Sequence, residues 1–176
     1  TLSLLKKGLS KRYEIFPAKH PMMEYYCVTL ISKKQFKSFS QPETIPFTNT
    51  RMGRHIVLNR CVTFCGKKVC FATSHLESTK EGAIEREEQL KILFGKMVQE
   101  IKSGKSDFIL IGGDFNLRDA EANRCLKECK LKDKMYVPVD VWESVGKPID
   151  HKFTWDTKEN NNLGFTGPRC RFDRFY

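Results

Sequence analysis

The chain has 176 residues, 40% of them apolar and 30% charged, which is enough to bury a core and is typical of a globular protein. No apolar run is long enough to span a membrane, so no membrane partner is expected. The net charge is +10, and residues 1–80 carry all of the excess, with 14 Lys and Arg against 4 Asp and Glu. This half is expected to attract a polyanion, although a lysine-rich solvated surface is the alternative.

The seven cysteines are odd in number, and the chain is not notably small or rich in loops. Their closest spacings are Cys61-x3-Cys65-x4-Cys70 and Cys125-x3-Cys129, neither of which is a CxxC pair. Reduced and mostly buried thiols in the cytosol or nucleus are therefore expected, and a structural zinc is the weaker alternative.

The first half of the chain is predicted to contain one short helix and three strands. Leucines at helical spacing indicate an amphipathic helix that closes at Ser10, and the aromatic and β-branched residues 25–32 predict a strand. The connection 33–49 is polar, and its middle, Pro42 to Pro46, is predicted to be irregular. Residues 54–75 alternate apolar and polar positions around a glycine turn, which predicts a hairpin.

A strand–helix–strand unit is predicted next. Ser78 to Glu81 have the form of a capping box, and the apolar residues after them recur at helical spacing. Gly104 is expected to end this helix, and a strand over 107–111 follows it directly.

The last third is predicted to be less regular. Residues 119–127 favour a short helix, and 137–142 form a mixed segment. A loop rich in Asn and Gly is predicted to start at Trp155, and residues 171–176 indicate a further strand.

The most informative motif follows the predicted strand Phe108–Ile111. Gly112 and Gly113 are expected to let the backbone leave the strand tightly and a ligand come close. If the chain stays extended, Asp114 and Asn116 point the same way, which places a base and a neutral amide donor at one spot. That combination suits the activation of a water beside a phosphate, whereas a simple polar turn is the alternative.

Three further side chains are candidates on chemical grounds. His75 follows a strand and precedes the predicted capped helix, where it could touch a phosphate with help from the helix N-terminus, or else be satisfied by local backbone. Trp155 and Phe172 are large rings near polar loops, where they could stack on bases or belong to the core.

Five sequence blocks resemble the endonuclease/exonuclease/phosphatase superfamily, in particular its 5′-tyrosyl-DNA phosphodiesterase branch. GDFN is generic to the superfamily, and the resemblance runs from about Tyr25 to the last residue. The blocks are TSHLEST (73–79), GGDFNLRD (112–119), FTWDT (153–157), NNLGF (161–165) and RFDR (171–174).

This resemblance implies an α/β (α+β) fold, a partial two-sheet α/β sandwich with helices outside, in which residues 1–176 form a single, incomplete phosphodiesterase catalytic domain. It implies a nuclear DNA-repair hydrolase, also present in the cytoplasm, that removes tyrosine left by a topoisomerase from DNA 5′ ends. The implied cofactor is Mg²⁺ or Mn²⁺, and the implied partners are DNA with a 5′-phosphotyrosyl end and RNA–protein adducts. No residue of the chain is assigned as a metal ligand.

The resemblance also assigns roles to individual residues. Asp114 is the catalytic base, and Asp173 orients a catalytic histidine. In the absence of that histidine, Asp173 faces an empty position or pairs with Arg171 or Arg174. Tyr26, with Tyr25 as its rival, lines the cleft. The full set of implied substrate-binding residues is Tyr26, His75, Leu76, Glu77, Ser78, Thr79, Lys80, Asn116, Leu117, Arg118, Trp155, Leu163 as an apolar wedge, and Phe172.

Superfamily members also carry a Trp-Asn element, a Gln-Glu pair that binds the metal and a Ser-Asp-His block, none of which has a counterpart here. The chain is therefore expected to be a fragment that is inactive alone. The rival hypotheses are another nuclease or phosphatase of the superfamily, against which TSHLEST and TWDT argue, and a truncated binding or adaptor module without catalysis.

Overall fold

The computed structural model describes residues 2–18, 26–160, 162, 164–165 and 167–176. The helices are α1 (Leu2–Leu9), α2 (Ala83–Lys102), α3 (Asp119–Lys132) and α4 (Val141–Ser144), with a 3-10 turn at Ile149–His151. The strands are β1 (Tyr13–Ala18), β2 (Cys27–Ser32), β3 (Phe36–Phe39), β4 (Glu43–Pro46), β5 (His55–Thr63), β6 (Lys68–Ser74), β7 (Phe108–Asp114), β8 (Trp155–Asp156), β9 (Arg169–Cys170) and β10 (Asp173–Phe175).

A six-stranded mixed sheet forms the centre of the fold. Its strand order is β10-β7-β6-β5-β3, and β4 also pairs with β5. β6 and β7 run parallel and are joined by α2, so the predicted strand–helix–strand unit is confirmed. β1 and β2 form a separate antiparallel pair, as do β8 and β9. Because β6 and β7 are parallel, their carboxyl ends lie at the same edge of the sheet.

The central sheet is covered on both faces. Leu90, Leu93 and Phe94 of α2 pack with Ile56 and Cys70 in the main hydrophobic core. On the opposite face a smaller cluster joins the β1–β2 pair to the sheet through Phe16, Ile31, Cys61, Phe36, Phe39 and Phe71. The predicted fold class, a partial two-sheet α/β sandwich with helices outside, is therefore confirmed.

Several predicted elements are present near their expected bounds. α1 ends at Leu9, the hairpin of β5 and β6 turns at Gly66 (φ +84°), and β10 begins at Asp173. The chain turns away from α2 at Gly104 (φ +68°), whose N–H donates to the carbonyl of Ile101. α3 continues to Lys132, five residues further than predicted. None of the helices in the described residues is long and apolar enough to cross a membrane.

The prediction of irregular structure at Pro42–Pro46 is wrong, and the loop predicted from Trp155 begins two residues later. Glu43–Pro46 pairs with the first half of β5, and Trp155–Asp156 pairs with Arg169–Cys170. Pro46 is tolerated because it ends an edge strand, where a missing N–H costs little. Pairing with the long strand β5 decides the structure here, and local propensity does not.

The predicted capping box is also wrong. α2 begins only at Ala83, with Gly82 at its N-cap and no side-chain cap. Thr79 adopts a left-handed conformation (φ 67°), which turns the chain before the helix can start. Ser78 instead accepts a hydrogen bond from Arg54 at 3.4 Å, so this segment is fixed by tertiary contacts.

The glycines of the central motif lie within β7 and do not end it. β7 continues to Asp114, and Gly113 pairs with Arg174 of β10. The apolar run Phe108–Ile111 predicts a buried strand, and this prediction is wrong for two of its residues, since Phe108 is 58% exposed and Leu110 39%. A Cβ on Gly113 would overlap the backbone oxygen of Ser74, so this glycine permits close approach of β6 and β7.

We therefore expect Gly113→Ala to lower the free energy of unfolding by about 1–3 kcal/mol, because the backbone of Ser74 cannot easily move away. Gly95→Ala is the matched control, since a Cβ there meets nothing within 4 Å in the middle of α2. That change is expected to stabilise the helix by about 0.5–1 kcal/mol. Urea unfolding of both variants tests the difference, and equal shifts in the same direction would contradict it.

Candidate active site

Three polar side chains meet where β6, β7 and β10 adjoin. His75 follows β6, Asp114 ends β7, and Asp173 of β10 lies directly opposite Asp114 in the antiparallel register. His75 Nε2 lies 3.6 Å from Asp114 Oδ2, and the two side chains are 36% and 39% exposed. The structure thus brings together a histidine and two carboxylates in a position that a ligand can reach.

Asn116 joins the loops that follow β6 and β7. Its backbone N–H donates to Asp114 Oδ1 at 3.0 Å, and its Nδ2 donates to the carbonyl of Leu76 at 3.1 Å. Asn116 has φ 52°, so the expectation that an extended chain aligns it with Asp114 is wrong. A tight turn holds Asn116 close to Asp114, and the second N–H of the Asn116 amide can still donate a hydrogen bond to an anion.

Arg54 is a site residue that sequence reasoning missed. Its Nη1 lies 2.9 Å from His75 Nδ1. A guanidinium can only donate, so Nδ1 must accept, and the proton of a neutral His75 is then on Nε2. Nε2 faces Asp114 and can donate to the oxygen of an incoming anion. No local motif marks Arg54, because its role depends on β5 lying beside β6.

The pKa of His75 is lowered from its ordinary value of 6.5, first by burial and then by the Arg54 charge, although Asp114, Asp173 and Glu77 oppose the shift. Burial and a neighbouring cation both disfavour the protonated ring. His75 is therefore expected to act as a neutral hydrogen-bond donor near neutral pH.

We expect an NMR titration of the His75 ring to give a midpoint below 6.5, and Arg54→Gln to raise it because one repulsive charge is removed. Since the unfolded histidine takes up its proton at higher pH than the folded one, the stability contribution is complete above pH 6.5 and is lost as pH falls through the folded pKa. A midpoint at or above 6.5 in the native protein would contradict this account.

Glu77 has a different position from the one expected of a substrate contact. Its side chain is buried, and Oε1 accepts hydrogen bonds from the backbone N–H groups of Arg51 and Met52 at 2.7 and 3.0 Å. Oε2 accepts from Thr50 Oγ1 at 3.0 Å. Glu77 thereby fixes the loop that leads into Arg54.

The remaining predicted site residues fall into three groups. Leu76 and Leu117 are fully buried in the main core, so their side chains do not face solvent. Leu163 lies outside the described residues. The others are exposed or half-buried, namely Tyr26, Ser78, Thr79, Lys80, Arg118, Trp155 and Phe172. The substrate-binding roles of all these residues stay predictions.

Asp173 pairs with neither Arg171 nor Arg174 in the described part of the chain, so that alternative is wrong. Arg171 donates to Asp140 at 2.8 Å, and Arg174 donates to Asp119 at 2.8 Å. Both guanidiniums are almost fully buried, as is the Asp140 carboxylate. The network ties β10 to α3 and α4 and so holds Asp173 beside Asp114.

The described residues do not make up a complete metal site. No group of three or more His, Cys, Asp or Glu side chains among them could hold an ion. All seven cysteines are free thiols. Asp114 and Asp173 are adjacent carboxylates, yet a hard cation needs further oxygen ligands.

Comparison with known proteins gives a consistent result. No protein-family model matches the chain. The chain is 40% identical to tyrosyl-DNA phosphodiesterase 2 of Homo sapiens over 175 residues, which is 99% of this chain and 44% of that protein. The Mus musculus protein is 40% identical over 154 residues, 87% of this chain and 39% of that protein. The chain thus spans less than half the length of these relatives.

Solved structures agree with the sequence comparison. D. rerio TDP2 complexed with single strand DNA product matches with a TM-score of 0.77 and 34% identity, over 99% of this chain and 64% of that one. TDP2 from C. elegans matches with a TM-score of 0.81 and 32% identity, over 99% and 50% of the two chains. The human Nocturnin catalytic domain, at 15% identity and a TM-score of 0.67, shares the fold over 98% of this chain and 62% of that one.

Proposed function

Because the chain belongs to the endonuclease/exonuclease/phosphatase superfamily and is similar over 99% of its length to tyrosyl-DNA phosphodiesterase 2, we propose that the protein containing it is a 5′-tyrosyl-DNA phosphodiesterase. The observation that supports the proposal best is the cluster of His75, Asp114 and Asn116, held by bonds between the loops after β6 and β7. A base and neutral donors at one accessible spot suit attack of water on a phosphodiester.

Each of these residues has one role in the proposed reaction. Asp114 orients a water molecule and accepts its proton while the water oxygen attacks phosphorus in line. Asn116 and the Nε2–H of His75 donate to non-bridging oxygens as negative charge builds on them. The bond from phosphorus to the tyrosine oxygen breaks, and the phenolate, whose conjugate acid has a pKa of about 10, leaves and is protonated in water. The products are tyrosine and a 5′-phosphate.

Enzymes of this superfamily generally depend on a divalent metal. We propose Mg²⁺ for this protein, with Mn²⁺ as a substitute, because a hard cation would offset charge on the phosphate oxygens. The chain 1–176 alone is expected to be inactive, since the resemblance implies a metal-binding glutamate and a catalytic histidine that have no counterpart in it.

The proposed partner is DNA with a 5′-phosphotyrosyl end, and RNA–protein adducts are a second proposed substrate class. Support comes from the D. rerio relative, which was solved with a single-stranded DNA product. The proposed cellular site is the nucleus, as a repair role requires, together with the cytoplasm.

A cleavage panel tests the proposal against the other activities of the fold. The full-length protein that carries this chain is given a 5′-phosphotyrosyl oligonucleotide, an abasic duplex and an inositol phosphate, each with Mg²⁺ and with chelator. We expect release of tyrosine only. Preferred cleavage of either other substrate would overturn the proposal, and absence of all three activities would favour a non-catalytic binding module.

A further inference from the structure

A strongly basic surface lies at the end of the molecule opposite the candidate active site. We call this the basic end and define it by the exposed side chains of Lys6, Lys7, Lys11, Arg12, Lys33, Lys34 and Lys37. They come from three separate segments, namely α1, the turn before β1, and the β2–β3 turn together with the start of β3. Because these charges come from three segments, the fold assembles this surface, and it is not a single lysine-rich stretch of the sequence.

Specific contacts hold these segments together. Tyr13 lies opposite Ser32 in the β1–β2 register, and the backbone N–H of Lys33 donates to the carbonyl of Arg12 at 2.9 Å. The Lys33 ammonium donates to the carbonyl of Ser10 at 2.9 Å. The basic end is therefore a fixed feature of the fold.

Few carboxylates pair with the cations of the basic end. Within the described residues its one ion pair joins Lys33 to Glu14 at 3.1 Å. By contrast, Arg60 is paired with Glu100, and Arg86 with Glu121. Uncompensated cations on an exposed surface favour an extended anion that can contact several of them at once.

Strand β2 gives the distance from the basic end to the active site. Cys27, at its first residue, lines a small cleft with Arg54 and His75, whereas Ser32, at its last, adjoins the basic end. A strand rises about 3.3 Å per residue, so the two ends of β2 lie about 17 Å apart. A stacked nucleic-acid strand covers that distance with about five nucleotides.

We propose that the basic end binds the phosphate backbone of a nucleic-acid strand about five nucleotides inward from the 5′ end held at the active site. The inference rests on the proposed function, because that function places the 5′ end beside His75 and Asp114. A phospholipid surface fits less well, since Leu2, Leu5 and Leu9 of α1 are half-buried against the protein and only one leucine of this helix, Leu4, is exposed to meet a bilayer.

The test compares two variants of the full-length protein. The first carries Lys6→Gln, Lys7→Gln, Lys11→Gln and Arg12→Gln, and leaves Lys33 in place because its ammonium bonds to Ser10. The matched control removes four exposed cations on and after α3, as Lys127→Gln, Lys130→Gln, Lys132→Gln and Lys134→Gln. Both lose the same charge, and none of these eight residues belongs to the candidate active site.

Two lengths of 5′-phosphotyrosyl single strand, about four and about 14 nucleotides, separate this surface from the active site. With the long strand, the first variant is expected to raise KM about tenfold and to flatten the slope of log KM against log salt by about three units, since each lost contact contributes about 0.7. With the short strand it should behave as the native protein, with kcat unchanged on both. The control variant should match the native protein throughout.

An equal rise in KM on both strand lengths, or no rise in KM on the long strand, would overturn the proposal. Retained DNA affinity with lost binding to phosphatidylserine vesicles would assign the basic end to a lipid surface instead. Direct binding of a labelled strand of about 14 nucleotides with a 5′-phosphate is measured in parallel. If the native protein releases no tyrosine, the proposed function fails, while this binding measurement still decides whether the basic end contacts nucleic acid.

Discussion

Asp114→Asn in the full-length protein is expected to lower kcat for tyrosine release by about 10²–10⁴-fold and to leave DNA affinity almost unchanged. The amide keeps the size of the carboxylate and can still accept the N–H of Asn116, which Oδ1 accepts at 3.0 Å in the native protein. It cannot take a proton from water, so only the chemical step should suffer.

Asp150→Asn is the matched control, because Asp150 is exposed in the short 3-10 turn and, among the residues that the structure describes, forms no hydrogen bond with His75, Asp114 or Asn116. It should retain native kcat. Rapid-quench turnover gives kcat, and fluorescence anisotropy with a 5′-phosphate strand gives affinity. An Asp114→Asn protein with near-native kcat would remove Asp114 from the reaction, whereas a parallel loss of affinity would assign it to binding.

Asp140→Ala is expected to be the most destabilising of the substitutions considered, by about 3–5 kcal/mol in the free energy of unfolding. Its buried carboxylate accepts from Arg171 at 2.8 Å and lies 3.4 Å from Arg174. Both guanidiniums are almost fully buried, so their removal from water is offset only while the anion is present. The same carboxylate accepts the N–H of Glu143 and so caps α4.

Glu143→Ala is the control, because it breaks the surface pair of Glu143 with Lys147, which lies just after α4, and a surface pair of this kind contributes only about 0.2–1 kcal/mol. Urea unfolding of both variants measures the difference. If Asp140→Ala proved as mild as the control, the network of Arg171 and Arg174 would not be what holds β10 and Asp173 in place.

The sequence allowed Asp114 and His75 to be selected as candidate site residues because the signals that mark them are local. Asp114 and His75 each follow a short apolar strand, and parallel strands bring such positions to one edge of a sheet. The helix between those strands was predictable from the spacing of its apolar residues, which packing confirms at Leu90 and Phe94.

Features that depend on contacts between distant segments could not be predicted. Arg54 lies in the candidate site only because β5 pairs with β6. Asp140 stabilises the fold only because Arg171, 31 residues away, donates hydrogen bonds to it. Glu77 lies in a motif of candidate site residues, yet its carboxylate is used by the loop at Thr50–Met52. In each case the partner lies more than 20 residues away in the chain, beyond the range of local patterns.

Hydrolysis in water enriched in heavy oxygen (H₂¹⁸O) tests the central claim most directly. If Asp114 directs water to phosphorus, the full-length protein should transfer one heavy oxygen to the 5′-phosphate and none to the released tyrosine, and Asp114→Asn should suppress this product. Heavy oxygen in the tyrosine, or cleavage within the strand in place of tyrosine release, would contradict the account.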